Sequence, residues 1–197
     1  MEQRFARSAA TLLAIVVVVL YCSCGTIRNT NNYRWYVKTT TDRDSGLVQY
    51  AVVRATSVRE QTRLPMPALT EDSARQSCEE TVYVLDGLLI ALKIEGDGDY
   101  HLIVKDTAVD STMLVEIPNP DADWTSRCGR SDQFRAARAT IDNIAGIPTG
   151  SLRHLPTPIR LKITGIGFFD PEHFSLSKEG MAANRREIHP VLRVERE

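Results

Sequence analysis

Apolar residues along this chain mostly alternate with polar ones in short runs, and in one stretch they fall at helical spacing instead. VYVLDGLLIALKI, residues 82–94, is nearly continuous in apolar character and broken at Asp86 and Gly87, which predicts a long strand with a bulge or bend at that break. YHLIVKD follows, with Tyr100, Leu102 and Val104 on one face and Asp99, His101 and Ile103 on the other, so the two runs predict a hairpin around EGDG. TMLVEIP puts Met113, Val115 and Ile117 opposite Leu114 and Glu116, and Pro118 and Pro120 end the pairing. The period then changes: Phe134, Ala137, Ile141 and Ile144 form a helical stripe. Ser131 is placed to cap it, Asp132 sits in its first turn, and Gly146 and Pro148 follow as a stop. PIRLKITGIGFFD alternates again, with Gly165 and Gly167 marking a bulge or a close backbone approach, and EIHPVLRVE sets Ile188, Leu192 and Val194 on one face.

Three strands, a helix and two strands is the order of a small oligonucleotide/oligosaccharide-binding (OB) barrel. The expected fold is therefore mainly β: a five-stranded, OB-fold-like β-barrel with one helix over residues 81–197, with an α+β sandwich as the alternative. Residues 24–80 read as a tether and an extended N-terminal arm holding one or two strands, one of them in LVQYAVVRATSV. Pro65 and Pro67 lack amide donors, which places that part of the arm at an edge or in a connector.

The N-terminus changes the picture of where this domain works. MEQRFARS carries Arg4 and Arg7, and the apolar run AATLLAIVVVVLYC ends before Ser23, Cys24 and Gly25, the pattern of a signal peptide over residues 1–23. The run falls short of the roughly 20 apolar residues that cross a bilayer. LYCSCGT resembles a bacterial lipoprotein box, which implies lipidation at Cys24, with Tyr21 and Cys22 departing from the usual pattern. Localisation is then the cell envelope, either anchored to the membrane through Cys24 or simply secreted. Two cysteines remain, Cys78 and Cys128, and an even pair in an oxidising compartment predicts a disulfide between them.

Composition adds limits. The 197 residues, 43% apolar and 25% charged, suit one medium domain with appendages. A formal net charge of −1 gives no bulk reason to expect a polyanion, so nucleic acid is not an expected partner. Local basic residues, Arg127, Arg130, Arg135 and Arg138 by the helix and Arg160 and Lys162 on a strand, either form a small positive surface or pair with neighbours such as Asp142.

Taken together, VKTTTD, ETVYVLDGLL, KIEGDGDYHLIVKD, TMLVEIPNP, ITGIGFFD and EIHPVLRV resemble phrases found in the same order in a group of exported bacterial proteins with no established activity. That resemblance implies a fold more than a function. More loosely, Asp97, Gly98 and Asp99, then Glu116 and Pro118, are similar to an Asp-Gly-Asp turn and an acidic strand end in staphylococcal-nuclease-like OB barrels. Ser111 and Asn119 stand where that pattern has an arginine and a carboxylate, so the resemblance implies a nuclease chemistry that has been lost.

Candidate chemistry gathers in EGDGDYHL. Glu95, Asp97 and Asp99 recur at every second residue, which could offer oxygens to a hard cation such as calcium, with Asp97 and Asp99 as the ligands and Glu116 as a third. The competing reading is a turn in which Gly96 and Gly98 supply positive φ and the Asp residues accept turn hydrogen bonds. Binding residues are Asp97, Asp99, His101 and Glu116, and His189 on the last strand could pair with His101. No HExxH, CxxC, Gly-x-Ser-x-Gly or phosphate-loop pattern occurs in residues 24–197, so no residue is assigned as catalytic and no cofactor beyond a divalent cation is expected. The expected function is a noncatalytic binding or interaction module for an envelope ligand or protein. The alternative is a metal-dependent hydrolase acting on phosphodiesters or glycans.

Overall fold

A computed structural model describes residues 33–171 and 179–197. The leader, Cys24 and the tether lie outside the described residues, and among the latter no helix is long and apolar enough to cross a membrane. In chain order the elements are α1 (Tyr33–Lys38), β1 (Val53–Ser57), α2 (Val58–Thr62), β2 (Val82–Ile94), β3 (Tyr100–Lys105), β4 (Thr112–Ile117), α3 (Asp123–Cys128), α4 (Ser131–Ala145), β5 (Arg153–Phe169) and β6 (Arg186–Arg196). The strands form one six-stranded mixed sheet in the order β1-β2-β3-β4-β6-β5, and β5 also pairs with β2, closing the sheet into a ring. The pairs β1–β2 and β4–β6 are parallel; the others are antiparallel.

Length makes the closure feasible. At 13 residues, β2 pairs with β1 along its first half, with β3 along its second, and with the 17-residue β5 on its other edge. The irregularity in β2 falls between Leu89 and Ala91, not at Asp86 and Gly87. Gly87 serves a close approach instead, because a Cβ there would collide with Val104. In β5 the register shifts around Gly165 and Gly167; side chains there would meet Ile188 and the Pro190 carbonyl, or the Arg186 guanidinium.

Alternation sorts the side chains into two faces. One face fills the main core, with Leu85, Leu89, Leu102, Val104, Met113, Val115, Ile163 and Ile188 packed against Phe134, Ala137 and Ile141 of α4. The other face of β3 and β4 carries a small apolar cluster of Ala91, Ile103 and Leu114, and beside it the polar residues described below. Helix α4 begins at Ser131 as expected, but Arg130 holds the cap position and no side chain caps it. Gly146, at φ 77°, ends the helix by donating to the Asp142 carbonyl.

The arm is less extended than the sequence predicts. Its first described residues form α1, and its buried Arg34 and Arg75 clamp it to the rest of the fold. Arg34 pairs with the buried Glu79, donates to the Phe169 carbonyl at 2.7 Å and stacks 4.8 Å from the Phe168 ring. Arg75 pairs with Asp42 at 2.8 Å and donates to the carbonyls of Val37 and Glu79. The expected disulfide is not present: Cys78 and Cys128 are both free. Each thiol is held by its own neighbours, Cys78 by Arg186 at 3.9 Å and Cys128 by the Thr125 carbonyl at 3.2 Å.

Candidate functional site

Antiparallel register sets His101 of β3 directly opposite Glu116 of β4. Both side chains lie on the face away from the main core, as does Asp99 two residues before His101. Strand β6 runs parallel to β4, pairing Leu114 with Glu187 and Val115 with Ile188, and so brings Glu187 and His189 to the same place. Helix α1 ends over this face with Lys38, which reaches Glu116 Oε2 at 2.7 Å. Asp99, His101, Glu116, Glu187 and His189 are each 4% exposed or less, so the cluster is sealed between the sheet and the arm.

Its bonds are specific. His101 Nδ1 lies 2.9 Å from Glu116 Oε1 and 3.2 Å from Glu95 Oε1, and since carboxylates only accept, that nitrogen carries the proton. His189 Nδ1 lies 2.8 Å from the Lys38 carbonyl oxygen, and its Nε2 is 3.2 Å from Asp99 Oδ2 and 3.8 Å from Glu116 Oε2. The other Asp99 oxygen accepts the Asn119 amide at 2.7 Å, tying the β2–β3 turn to the end of β4.

Electrostatics follow from this crowding. Burial alone would raise the Glu116 carboxyl, but the Lys38 ammonium and the His101 hydrogen bond outweigh it and hold the group well below the usual carboxylate range. Burial would likewise lower Lys38, and the carboxylates of Glu116, Glu187 and Asp99 overcome it, so the ammonium is held above the ordinary lysine value.

Three of the four residues singled out in the sequence, Asp99, His101 and Glu116, are thus brought together. Asp97 is not among them: it is exposed in the turn, where its Oδ1 accepts the Asp99 amide at 3.1 Å. Of the two turn glycines only Gly98 has positive φ, 86°, and its carbonyl accepts from Arg138 Nη2 at 2.5 Å. Arg138 also donates to the carbonyls of Pro118 and Ile117 and lies 4.0 Å from the Tyr100 ring, while Asp142 takes the Tyr100 hydroxyl. The expected Arg138–Asp142 pair is therefore replaced by contacts that fasten α4 to the turn. The other basic residues are largely engaged: Arg135 with Asp121, Arg160 with Asp86, Lys162 with Glu197, and Arg130 over the Tyr50 ring.

Sequence reasoning missed Lys38 and left His189 without a partner in the carboxylate cluster. The signal for His189 was its outward parity on β6. Lys38 gave none, because its position depends on how the arm packs. Comparison with known protein families, characterised proteins and solved structures gives no match for this chain.

Proposed function

We propose that the chain is a noncatalytic binding module of the bacterial cell envelope, built on a five-stranded OB-type barrel and held at the membrane by a lipid on Cys24 after removal of residues 1–23. Strand order supports the barrel. With β1 set aside, β2, β3, β4, β6 and β5 return to β2, and α4 lies in the connection between the third and fourth of these strands in sequence.

The observation that carries the noncatalytic reading is the engagement of Glu116. One oxygen meets the Lys38 ammonium at 2.7 Å and the other the His101 ring at 2.9 Å, beneath a docked arm that leaves no exposed carboxylate face for a substrate. A metal held by Asp99 and Glu116 would have to take the place of Lys38, so with the arm docked these residues fit a lysine and not a catalytic cation. Space for an envelope ligand lies elsewhere, in a groove of about 550 Å³ lined by Ile144, Leu155, Pro158, Ile159, Arg153 and Arg196.

The second reading, a metal-dependent hydrolase, draws on the convergence of Asp99, His101 and Glu116. Both are tested by incubating the protein with bis(4-nitrophenyl) phosphate and 4-nitrophenyl glycosides in the presence of calcium, manganese or zinc. The expected result is no release of nitrophenol above the protein-free rate. Metal-dependent turnover that Glu116→Gln abolishes would replace the binding reading with the hydrolase.

A further inference from the structure

The two ring nitrogens of His189 face incompatible chemistry. Nδ1 lies 2.8 Å from the Lys38 carbonyl oxygen, which can only accept, so Nδ1 carries a proton. In a neutral ring Nε2 then presents a lone pair, and what it faces is Asp99 Oδ2 at 3.2 Å and Glu116 Oε2 at 3.8 Å. With these side chains 5% exposed or less, a lone pair set against two carboxylate oxygens is repulsive. Relief comes from a cation among these atoms or from a second proton on the ring, and the two differ in what they predict.

Three features favour the cation. A backbone carbonyl holding one imidazole N–H while the other nitrogen points at acids is the arrangement that orients metal-bound histidines. One ligand atom from each of Asp99, Glu116 and His189 lies within 4.8 Å of the other two, and the His189 Nε2 separations of 3.2 Å from Asp99 Oδ2 and 3.8 Å from Glu116 Oε2 fall inside the roughly 4.2 Å that two bonds of about 2.1 Å can span. The cluster also already takes a cation, the Lys38 ammonium, at 2.7 Å from Glu116 Oε2.

We propose that Asp99, Glu116 and His189 form a three-ligand seat for a divalent transition metal such as manganese or zinc, in which Lys38 is a tethered competitor, so that metal binding and docking of the arm exclude each other. Two carboxylates and one imidazole suit these ions better than calcium, which takes oxygen ligands alone. Metal loading would push Lys38 out of the seat and loosen the end of α1, exposing the outer face of β3 and β4. This seat stands independently of the binding-module reading, since it can load a metal whether or not the chain turns over a substrate.

The test is calorimetric titration of the detergent-solubilised full chain with manganese chloride and zinc chloride, comparing wild type, Lys38→Met and the double variant Lys38→Met/His189→Gln. Lys38→Met should bind one metal at least about tenfold more tightly than wild type, and adding His189→Gln should weaken that binding by about 10- to 100-fold. If Lys38→Met folds only when either metal is added, as followed by circular dichroism, the seat is supported equally. The proposal is overturned if folded Lys38→Met binds no more tightly than wild type, if His189→Gln leaves its affinity unchanged, or if the variant stays unfolded with both metals. In those cases the second proton on His189 is the remaining source of relief.

Discussion

Glu116 is gripped by the Lys38 ammonium at 2.7 Å on one oxygen and by the His101 Nδ1–H at 2.9 Å on the other. Because its carboxyl is held below the usual range in the folded chain, folding is favoured by its ionised form. That contribution is complete above the ordinary glutamate value of about 4.3 and is lost as the pH falls through the lower folded value. Lys38 behaves oppositely: held above the ordinary lysine value, it contributes fully at all lower pH and loses its contribution only in strong alkali. Around neutrality both are complete, and the acid limb belongs to Glu116. Glu116→Gln should therefore cost about 3 kcal/mol near neutral pH, because it leaves a half-buried ammonium with weaker partners, and lower the melting temperature by about 6–12 °C. Near pH 3 the gap between variant and wild type should shrink. Thermal unfolding at both pH values checks this, and an unchanged gap would show that the charge of Glu116 is not what stabilises the arm.

At the scale of elements, the strands were legible because burial on one face imposes alternation, as Met113, Val115 and Ile117 show against Leu114 and Glu116. Helix α4 was legible because Phe134, Ala137 and Ile141 repeat over several turns. Helix α1 was not, since its six residues YRWYVK span less than two turns and are held in place by tertiary contacts. The disulfide failed for a related reason: parity of cysteine number says nothing about where the fold puts each thiol, and here Cys78 contacts Arg186 while Cys128 donates to the Thr125 carbonyl. Arg34 is the main clamp on α1, and Glu79 in turn accepts the Phe169 amide at 2.8 Å, so the pair joins the arm to the end of β5. Arg34→Met should destabilise the chain by about 3–5 kcal/mol by stranding a buried carboxylate. Arg34→Met/Glu79→Gln should recover part of that loss, because a neutral amide oxygen can still accept from Phe169. Urea unfolding of the three proteins reads this directly; a double variant no more stable than the single one would mean that packing of the Arg34 stem, not charge, holds the arm.

At the scale of the whole molecule, the succession of strands along the chain could be read from the sequence and a barrel was expected from it, but the pairings that close the ring could not. Closure rests on β2 pairing with β5 and on the parallel pairing of β4 with β6, and both join segments separated by more than 60 residues. The cluster was only partly visible for the same reason: Asp99, His101 and Glu116 lie within one hairpin and its neighbour, whereas Lys38 and His189 arrive from opposite ends of the chain. The boundary expected at residue 81 can now be judged by what would be uncovered there. Removing residues 33–80 would strip β1 from the first half of β2, expose the outer faces of β3 and β4, and leave Glu116 without its lysine. It would also remove Glu79 from Phe169 and Gln61 and the Cys78 carbonyl from Arg186, whose guanidinium is buried against the Phe169 ring at 4.6 Å. A chain beginning at Thr81 keeps all five strands of the ring and α4 but loses arm partners for two buried charges, Glu116 and Arg186, and such losses cost about 3–5 kcal/mol each against a total stability of about 5–15 kcal/mol. It should therefore fail to give a cooperative unfolding transition, while a chain beginning at Tyr33 should give one. Calorimetry on both chains decides it, and a sharp transition in the shorter one would make the arm an appendage rather than a structural half of this fold.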